Sequence, residues 1–531
     1  MTVTPAPPPP VRPLAAAAGR VAAKPVLLWL LAALVSGFTV RRYLEPFDEG
    51  FLLQAASRIA AGQWPYGDFG WPYGPGQPLL VAAAFKALGP SVLWWRLVRV
   101  AADASTALIV WALVRRRAGE RWALAGFAAA AVTVAQPTSA NPEAPALAFA
   151  LGALLAAAAG RDTAAGVLTG FAVFWRPDVG AAAALAAVAA GALRGPRPAG
   201  AASPPRGAPE TAGVGAGPVR TLSVAVLSAA ALYAPFAIAA GPDVLWDAVV
   251  GGSARDGAWW RLPFPLVYDG ALRAWPPRAL ATDLKDVLGF YLPLIGVAGL
   301  ALAIVAAARR RRRPGPELAG VLVLALAAVP YLISRPDDQH AQPLVVCLAA
   351  LVPLCAAAGG PRVPLAAVLA LVALAGAANR LSALLLPPDL EAVHLPGVPG
   401  IRVPPAEARA LPSLVAAVQR LVPADEPIYV APRRSDLVTS SAPIVHFLVR
   451  RSNVLHRDVL LQARPAEQAA IVTALGRARP RAIVRWTDPA SSHPEPNRRG
   501  RPSGSRALDD YLAAAYRPAA RYGAYEVLVP R

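Results

Sequence analysis

Pro25-Val26-Leu27-Leu28-Trp29-Leu30-Leu31-Ala32-Ala33-Leu34-Val35-Ser36-Gly37-Phe38-Thr39-Val40 is an uncharged, apolar run set between Lys24 and Arg41-Arg42. A run of this length and hydropathy reads as a membrane-spanning helix. Arg12, Arg20 and Lys24 precede it, and basic residues collect on the cytoplasmic side, so the N-terminus is expected inside. The run ends on Arg41-Arg42 rather than on small residues suited to cleavage, so it reads as a retained anchor and not a signal peptide. A few residues further on stands Phe47-Asp48-Glu49-Gly50, which this topology places on the outer side, beside the bilayer. Asp68 follows in Tyr66-Gly67-Asp68-Phe69. Carboxylates held at a membrane surface suit chemistry on a lipid-linked substrate.

The rest of the chain agrees with a polytopic α-helical membrane protein. Of 531 residues 56% are hydrophobic and only 16% charged, with a mean hydropathy of +0.44. A soluble protein of this size carries more charge. Apolar runs at about 25–40, 91–114, 122–136, 144–160, 163–175, 178–193, 221–240, 286–308, 317–334, 342–358 and 362–378 predict about eleven transmembrane helices, N-in and C-out. The loops this topology puts inside hold Arg115-Arg116-Arg117, Arg161, the basic stretch 194–220, Arg309–Arg313 and Arg362. The short outer loops 136–143 and 335–341 hold one Arg between them, Arg335, so the positive-inside rule is met along the chain. The net charge of +20 is therefore a topology signal, and no nucleic-acid partner is expected. Arg, Ala and Pro richness with three lysines (Lys24, Lys86, Lys285) suggests a high-GC bacterial genome, hence a plasma (inner) membrane location. Cys347 and Cys355 share one apolar run, roughly 12 Å apart along a helix, too far for a disulfide.

Three regions depart from the membrane pattern. Residues 1–24 are rich in Pro and Ala and predict a disordered cytoplasmic tail, and 194–220 predict a flexible cytoplasmic linker. They flank and interrupt a transmembrane domain over 25–379. Residues 380–531 are soluble in composition and predict an extracytoplasmic α/β domain. In it Ile428-Tyr429-Val430, Ala482-Ile483-Val484 and Tyr525–Val529 read as strands, Pro465–Gly476 and Ala507–Tyr516 as helices. It lacks a Gly-rich phosphate loop.

Candidate chemistry gathers in the first outer loop, 41–90. Glu49–Gln63 predicts an amphipathic helix in the interface, with Asp48 at its N-cap. Asp48 and Glu49 there either cap the helix or act on substrate. Trp64-Pro65-Tyr66-Gly67-Asp68-Phe69-Gly70-Trp71-Pro72-Tyr73-Gly74-Pro75 is either a sugar-stacking surface, with Tyr66 and Trp71 as substrate contacts, or an interfacial aromatic belt. Arg176 in Trp175-Arg176-Pro177-Asp178 and Arg335 in Arg335-Pro336-Asp337-Asp338-Gln339-His340 sit at predicted outer helix ends. Each is a phosphate ligand or a snorkelling interfacial cation. Asp338 and His340 crowd the same loop as Arg335, a polar cluster suited to substrate. A metal there would need three ligands within four residues, which is poor geometry, so no cofactor is expected, although a divalent cation is conceivable. The long loop 241–285, with Trp246, Trp259, Trp260, Tyr268 and Trp275 among acidic residues, either covers the site or lies in the interface.

Asp48-Glu49-Gly50 after the first span, the run around Pro65-Tyr66-Gly67-Asp68-Phe69, and Arg96 or Arg99 entering the next span together resemble the GT-C superfamily. Its members are multi-spanning glycosyltransferases that use polyprenyl-phosphate sugars, among them the protein O-mannosyltransferases and the lipid A aminoarabinose transferases. Pro427–Pro432, Phe447–Arg451 and the terminal Tyr516…Tyr525-Glu526-Val527 resemble the extracytoplasmic part of bacterial members. The resemblance implies that Asp48 is the catalytic carboxylate, Glu49 the second residue of the acidic pair, and Asp68 a further acid. It implies a polyprenyl-phosphate sugar donor and an extracytoplasmic acceptor. The aromatic pair that many relatives carry after the acidic motif is missing. Two other classes compete: a secondary transporter or lipid flippase, favoured by Asp103 inside a predicted span, and a non-catalytic assembly protein.

Overall fold

The computed structural model describes residues 14–194, 216–252, 255, 264–265, 272, 275–309, 314–458, 464–488 and 502–531. Residues 1–13 and 195–215, and so most of the two segments read as disordered or flexible, lie outside the described residues, as do Asp256, Trp259, Trp260, Tyr268 and Asp269 of the long loop. Helices follow one another along the first three quarters of the chain: α1 Leu14–Gly37, α2 Asp48–Ala60, α3 Gly76–Leu88, α4 Val92–Ala118, α5 Glu120–Val134, α6 Glu143–Ala158, α7 Asp162–Trp175, α8 Pro177–Ala192, α9 Ala216–Ala240 and α10 Pro242–Trp246. After a π-helical turn come α11 Pro277–Arg309, α12 Pro316–Ser334, α13 Asp338–Ala357 and α14 Arg362–Leu385. Among the described residues six helices are long and apolar enough to cross a membrane by length and composition, within α4, α9, α11, α12, α13 and α14; α6 and α8 are apolar but shorter.

Small residues set the bundle's spacing. Gly166 and Gly170 stand one turn apart on α7, and a Cβ there would come within 2.6 Å of Val224 Cβ and 2.5 Å of Ser228 Cβ on α9. Close backbone approach of this kind replaces a hydrophobic driving force between helices in lipid. Alanines 183, 186, 187 and 190 of α8 and Leu151 and Leu154 of α6 fill the core beside Leu344 to Leu354 of α13. Inside the bundle Asp103 is closed by Arg99 (2.8 Å) and the Ser36 hydroxyl (2.7 Å).

The segment 391–531 pairs a short hairpin, β1 Glu391–Ala392 with β2 Arg402–Val403, and adds α15 Pro405–Leu421. A four-stranded sheet follows from β3 Tyr429–Ala431, β4 Ile483–Trp486, β5 Tyr516–Tyr522 and β6 Tyr525–Pro530, in the order β3-β4-β6-β5. β3 runs parallel to β4, and the other two pairings are antiparallel. Helices α16 Ile444–Val449, α17 Pro465–Ala478 and α18 Ala507–Ala515 accompany it. This unit is seated on the 41–90 loop. The Ile444 N–H donates to Pro46 O (3.2 Å), the Gly70 N–H to His456 O (3.1 Å), and the Val92 N–H to Gly397 O (2.9 Å). Arg58 of α2 forms a buried ion pair with Asp458 at 2.9 Å.

Gly50 sits at the tightest point of this seam, where an added Cβ would lie 2.1 Å from the Ile444 backbone nitrogen. Backbone cannot swing aside as a side chain does, so Gly50→Ala must push α2 and α16 apart. Overpacking of this kind costs about 1–3 kcal/mol. The variant is expected to melt several degrees lower and to release residues 380–531 to limited proteolysis at a protease level that leaves the wild type whole. An unchanged digestion pattern would mean that the seam does not hold the two parts together.

Candidate active site

The loop between α1 and α2 ends in Glu45-Pro46-Phe47-Asp48-Glu49. Glu45, not Asp48, caps α2: its Oε1 accepts from the Phe47 N–H (2.9 Å) and its Oε2 from the Glu49 N–H (2.7 Å). Asp48 is the first residue of the helix and is half-buried. Glu49 is fully buried and forms a two-pronged ion pair with Arg96 of α4, Nε to Oε1 and Nη2 to Oε2, both 2.7 Å. Arg96 spends its remaining N–H groups on the carbonyls of Val40 and Tyr43, each at 2.7 Å. Glu49, expected to share the chemistry with Asp48, is thus closed off, and its carboxylate anchors the loop instead.

The aromatic loop is likewise a scaffold more than an open stacking surface. Tyr66 and Trp71 are only 3% and 2% exposed. The Tyr66 hydroxyl donates to Tyr73 O (2.6 Å), and burial pushes its ionisation well above the usual tyrosine range. Trp71 Nε1 donates to Gly74 O (3.0 Å), and its ring stacks on Phe51 at 4.6 Å. Asp68 is exposed and folds back to accept from the Trp64 N–H at 2.7 Å, closing the turn. What these bonds build is a rigid arm that presents Tyr73.

Tyr73 is where the site assembles. Gly74 and Gly76 let this strand of loop press on Phe174 and Trp175, since a Cβ on Gly74 would lie 2.2 Å from Phe174 O. That contact brings Tyr73 beside Arg176, whose guanidinium carbon is 5.8 Å from the Tyr73 ring centre and 4.8 Å from that of Tyr331. Burial and the Asp48 carboxylate push the Tyr73 hydroxyl up to about 12, against the opposing pull of Arg176 and Arg335. Arg176 thus stands against the Tyr73 ring, and the charges of Asp48 and Arg335, from two other parts of the chain, also bear on its hydroxyl.

Each cation has partners of its own. Arg176, 9% exposed, pairs with Glu143 (2.9 Å) and with Asp178 (2.6 Å). Arg335 reaches Asp337 at 3.1 Å, and Asp337 also accepts from the His340 N–H (2.8 Å) and meets its Nδ1 (2.7 Å). The His340 ring lies 4.4 Å from Tyr331, whose hydroxyl accepts from Asn141 Nδ2 at 2.9 Å. The side chain of Asp338 lies outside the described residues. The structure thus sets Arg176 against both Tyr73 and Tyr331, with His340 beside Tyr331 and Arg335 tied to His340 through Asp337, and uses Glu49, Tyr66, Asp68 and Trp71 to hold the loop together. Sequence reasoning missed Asn141, Glu143 and Tyr331, and held Tyr73 only as one member of the aromatic loop. The usable signal was Glu143, an acid opening an apolar run.

The fold is similar to that of ArnT from Cupriavidus metallidurans. The apo structure of ArnT from Cupriavidus metallidurans is similar to this chain with a TM-score of 0.51 and 14% identity, over 97% of this chain and 98% of that one. ArnT from the same organism bound to undecaprenyl phosphate matches over the same shares, at 15% identity and a TM-score of 0.48. The Archaeoglobus fulgidus oligosaccharyltransferase tethered to an acceptor peptide is 12% identical over 87% of this chain and 68% of that one, with a TM-score of 0.49. No family model and no curated protein sequence matches the chain.

Proposed function

We propose that the protein is an inverting glycosyltransferase that moves a sugar from a polyprenyl-phosphate donor to an extracytoplasmic acceptor, a cell-envelope glycan, lipid or protein. The observation that carries this reading is the cluster at Tyr73, where Arg176, paired with Glu143 and Asp178, stands against the ring and the charges of Asp48 and Arg335 act on the hydroxyl. One carboxylate there can take a proton, and two guanidiniums can face a phosphate. The GT-C fold gives that set of charges a class of substrate, and ArnT of Cupriavidus metallidurans is a relative in fold described with undecaprenyl phosphate bound.

In the proposed step Asp48 accepts the proton of an acceptor hydroxyl as its oxygen attacks the anomeric carbon. The bond from that carbon to the phosphate oxygen breaks, and polyprenyl phosphate leaves with the electron pair. One displacement inverts the anomeric centre. The first turn of α2 suits Asp48, because the positive end of a helix favours an ionised carboxylate. The guanidiniums of Arg176 and Arg335 stabilise charge as it grows on the leaving phosphate. The competing transporter reading rested on Asp103, which is closed by Arg99 and Ser36 inside the bundle.

The reading is tested by release of polyprenyl phosphate from radiolabelled polyprenyl-phosphate sugars by membranes containing the protein and native acceptors. Turnover of one donor supports it; no turnover across pentose and hexose donors sinks it. Arg335→Ala separates donor from acceptor. A lost charge-assisted hydrogen bond is worth about 1.5–3 kcal/mol, so donor KM should rise by roughly ten- to a hundredfold while acceptor KM moves less than about twofold. Equal rises in both would take Arg335 off the phosphate.

A further inference from the structure

Two arginines that the proposed reaction does not use meet at the end of the bundle where α14 leads into residues 391–531. Arg42 follows α1, and its Nη1 donates to Ala383 O on α14 (2.8 Å). Arg380 stands on α14, and its Nη1 reaches back to the Thr39 hydroxyl beyond α1 (3.4 Å). Each guanidinium thus crosses to the other's side, and Thr39 joins them, its carbonyl accepting from the Arg42 N–H at 3.0 Å. We propose that this pair is the seat of an anionic glycerophospholipid from the leaflet on that side, its phosphate between Arg42 and Arg380 and its chains running down between α1 and α14.

Three observations point to a phosphate. The first is charge. Among the described residues neither guanidinium forms an ion pair; Asp103, the acid whose charge reaches Arg380, has one oxygen on Arg99 and the other on Ser36. Two like charges brought together without a counter-charge repel, and a phosphate oxygen between them reverses the sign. The second is a buried donor. Arg380 Nε is closed off from solvent and has no hydrogen-bond partner. A buried donor left unmade is costly, and a snorkelling arginine would instead carry its head out to water. The third is the shape of what is left over. Both arginines commit Nη1 to protein, and among the described residues the Nε–Nη2 edge of each takes no hydrogen bond. That is the edge by which Arg96 grips both oxygens of Glu49, and it matches two oxygens of a phosphate equally well.

The walls say what carries the phosphate. The Arg42 guanidinium lies over Phe38, 4.8 Å from the ring centre, and Phe38 and Leu34, one turn apart on that side, are both exposed. On α14 Leu381 and Leu374, two turns apart, are exposed as well. The two stripes lead from the cations toward the middle of the bundle, on helices that both pack on α5. Arg380 is five residues short of Leu385, the last of α14, hence about 8 Å down the axis and near headgroup depth. Cations at headgroup depth with apolar walls below suit a lipid better than a free ion. An uncompensated pair of positive charges favours an anionic headgroup over a zwitterionic one.

The test reads binding and never transfer, so its outcome is independent of the proposed function. Full-length protein is placed in nanodiscs of phosphatidylcholine with or without phosphatidylglycerol, and the lipids it keeps on release are counted by native mass spectrometry. The wild type should keep phosphatidylglycerol. Arg42→Gln and Arg380→Gln should each weaken its retention about tenfold, the loss expected of one charge-assisted contact. Arg41→Gln, which removes an exposed charge next door, should change it by less than about twofold. An equal fall in Arg41→Gln would mean diffuse attraction to an anionic membrane and would overturn the proposal. Melting temperatures guard against misfolding. In phosphatidylcholine alone Arg380→Gln should melt no lower than the wild type, because it removes a charge without a counter-charge. Phosphatidylglycerol should raise the wild-type melting temperature and add nothing to that of the variant; no rise in the wild type would sink the seat whatever the variants do. Undecaprenyl phosphate at equal concentration should not displace the bound phosphatidylglycerol. If it does, and binds less well in the same two variants, the seat belongs to the polyprenyl lipid and the assignment to a phospholipid is wrong.

Discussion

Asp48→Asn is expected to reduce sugar transfer by about a thousandfold or more while donor KM stays level or falls. General base catalysis is worth roughly 10²–10⁴ in rate, and the amide cannot take the proton. The substitution is otherwise gentle. Asn matches Asp in volume, Asp48 is not the residue that caps α2, and the Glu45 bonds to Phe47 and Glu49 remain. Ground-state binding should if anything improve, because one negative charge disappears from the side of the site that receives a phosphate. A collapse in kcat with KM unmoved marks an interaction made only in the transition state. The measurement is initial-rate release of polyprenyl phosphate over a donor series, with protein amount normalised and folding checked by melting temperature. Retention of more than a tenth of wild-type kcat would remove Asp48 from proton transfer. A parallel rise in donor KM would instead make it a binding residue.

How far the chain could be read without its structure depends on what each signal reports. Hydropathy reports burial in lipid or core, so helices fall on every apolar run, from α1 to α14, and β3, β4 and β6 fall on the three runs predicted as strands. α3 was absorbed into a loop because Gly76-Gln77-Pro78 reads as a breaker and only 13 residues follow the turn. Residue type does not report direction. Asp48 and Glu49 are neighbours with the same chemistry, yet successive positions on a helix diverge by about 100°, so Asp48 stays half-buried while Glu49 is sealed by Arg96. Tyr66 and Trp71 illustrate the same gap: their apolar bodies pay for burial, and their polar tips find carbonyls within the loop, Tyr73 O and Gly74 O. Asn141, Glu143 and Tyr331 went unread for a different reason. They lie on two distant segments, Asn141 and Glu143 at the start of α6 and Tyr331 on α12, and only the fold unites them with Arg176.

Arg96 should be the position where a single substitution does the most harm to the fold. Its side chain and that of Glu49 are both fully buried, and two bonds of 2.7 Å join them. Removing one partner of such a pair leaves an uncompensated buried charge, at a cost of about 3–5 kcal/mol, a large share of the 5–15 kcal/mol by which proteins are ordinarily stable. Arg96→Met should therefore give little folded protein in membranes, or a melting temperature lowered by ten degrees or more. Arg96→Lys should recover only part, because an ammonium cannot reach both carboxylate oxygens and the carbonyls of Val40 and Tyr43 in one plane. The double variant Arg96→Met with Glu49→Leu removes the orphaned charge and should regain a substantial part of the lost stability, yet not all, since those two carbonyls stay without their donor. Such a protein would decide how the loop serves the reaction. Asp48 and Glu45 are both intact in it, but the turn that carries them has lost its anchor to α4. If transfer returns with stability, the Glu45 cap alone holds Asp48 in place; if the protein melts near the wild-type temperature and still transfers at below a hundredth of its rate, the ion pair is what sets the base against the phosphate cations.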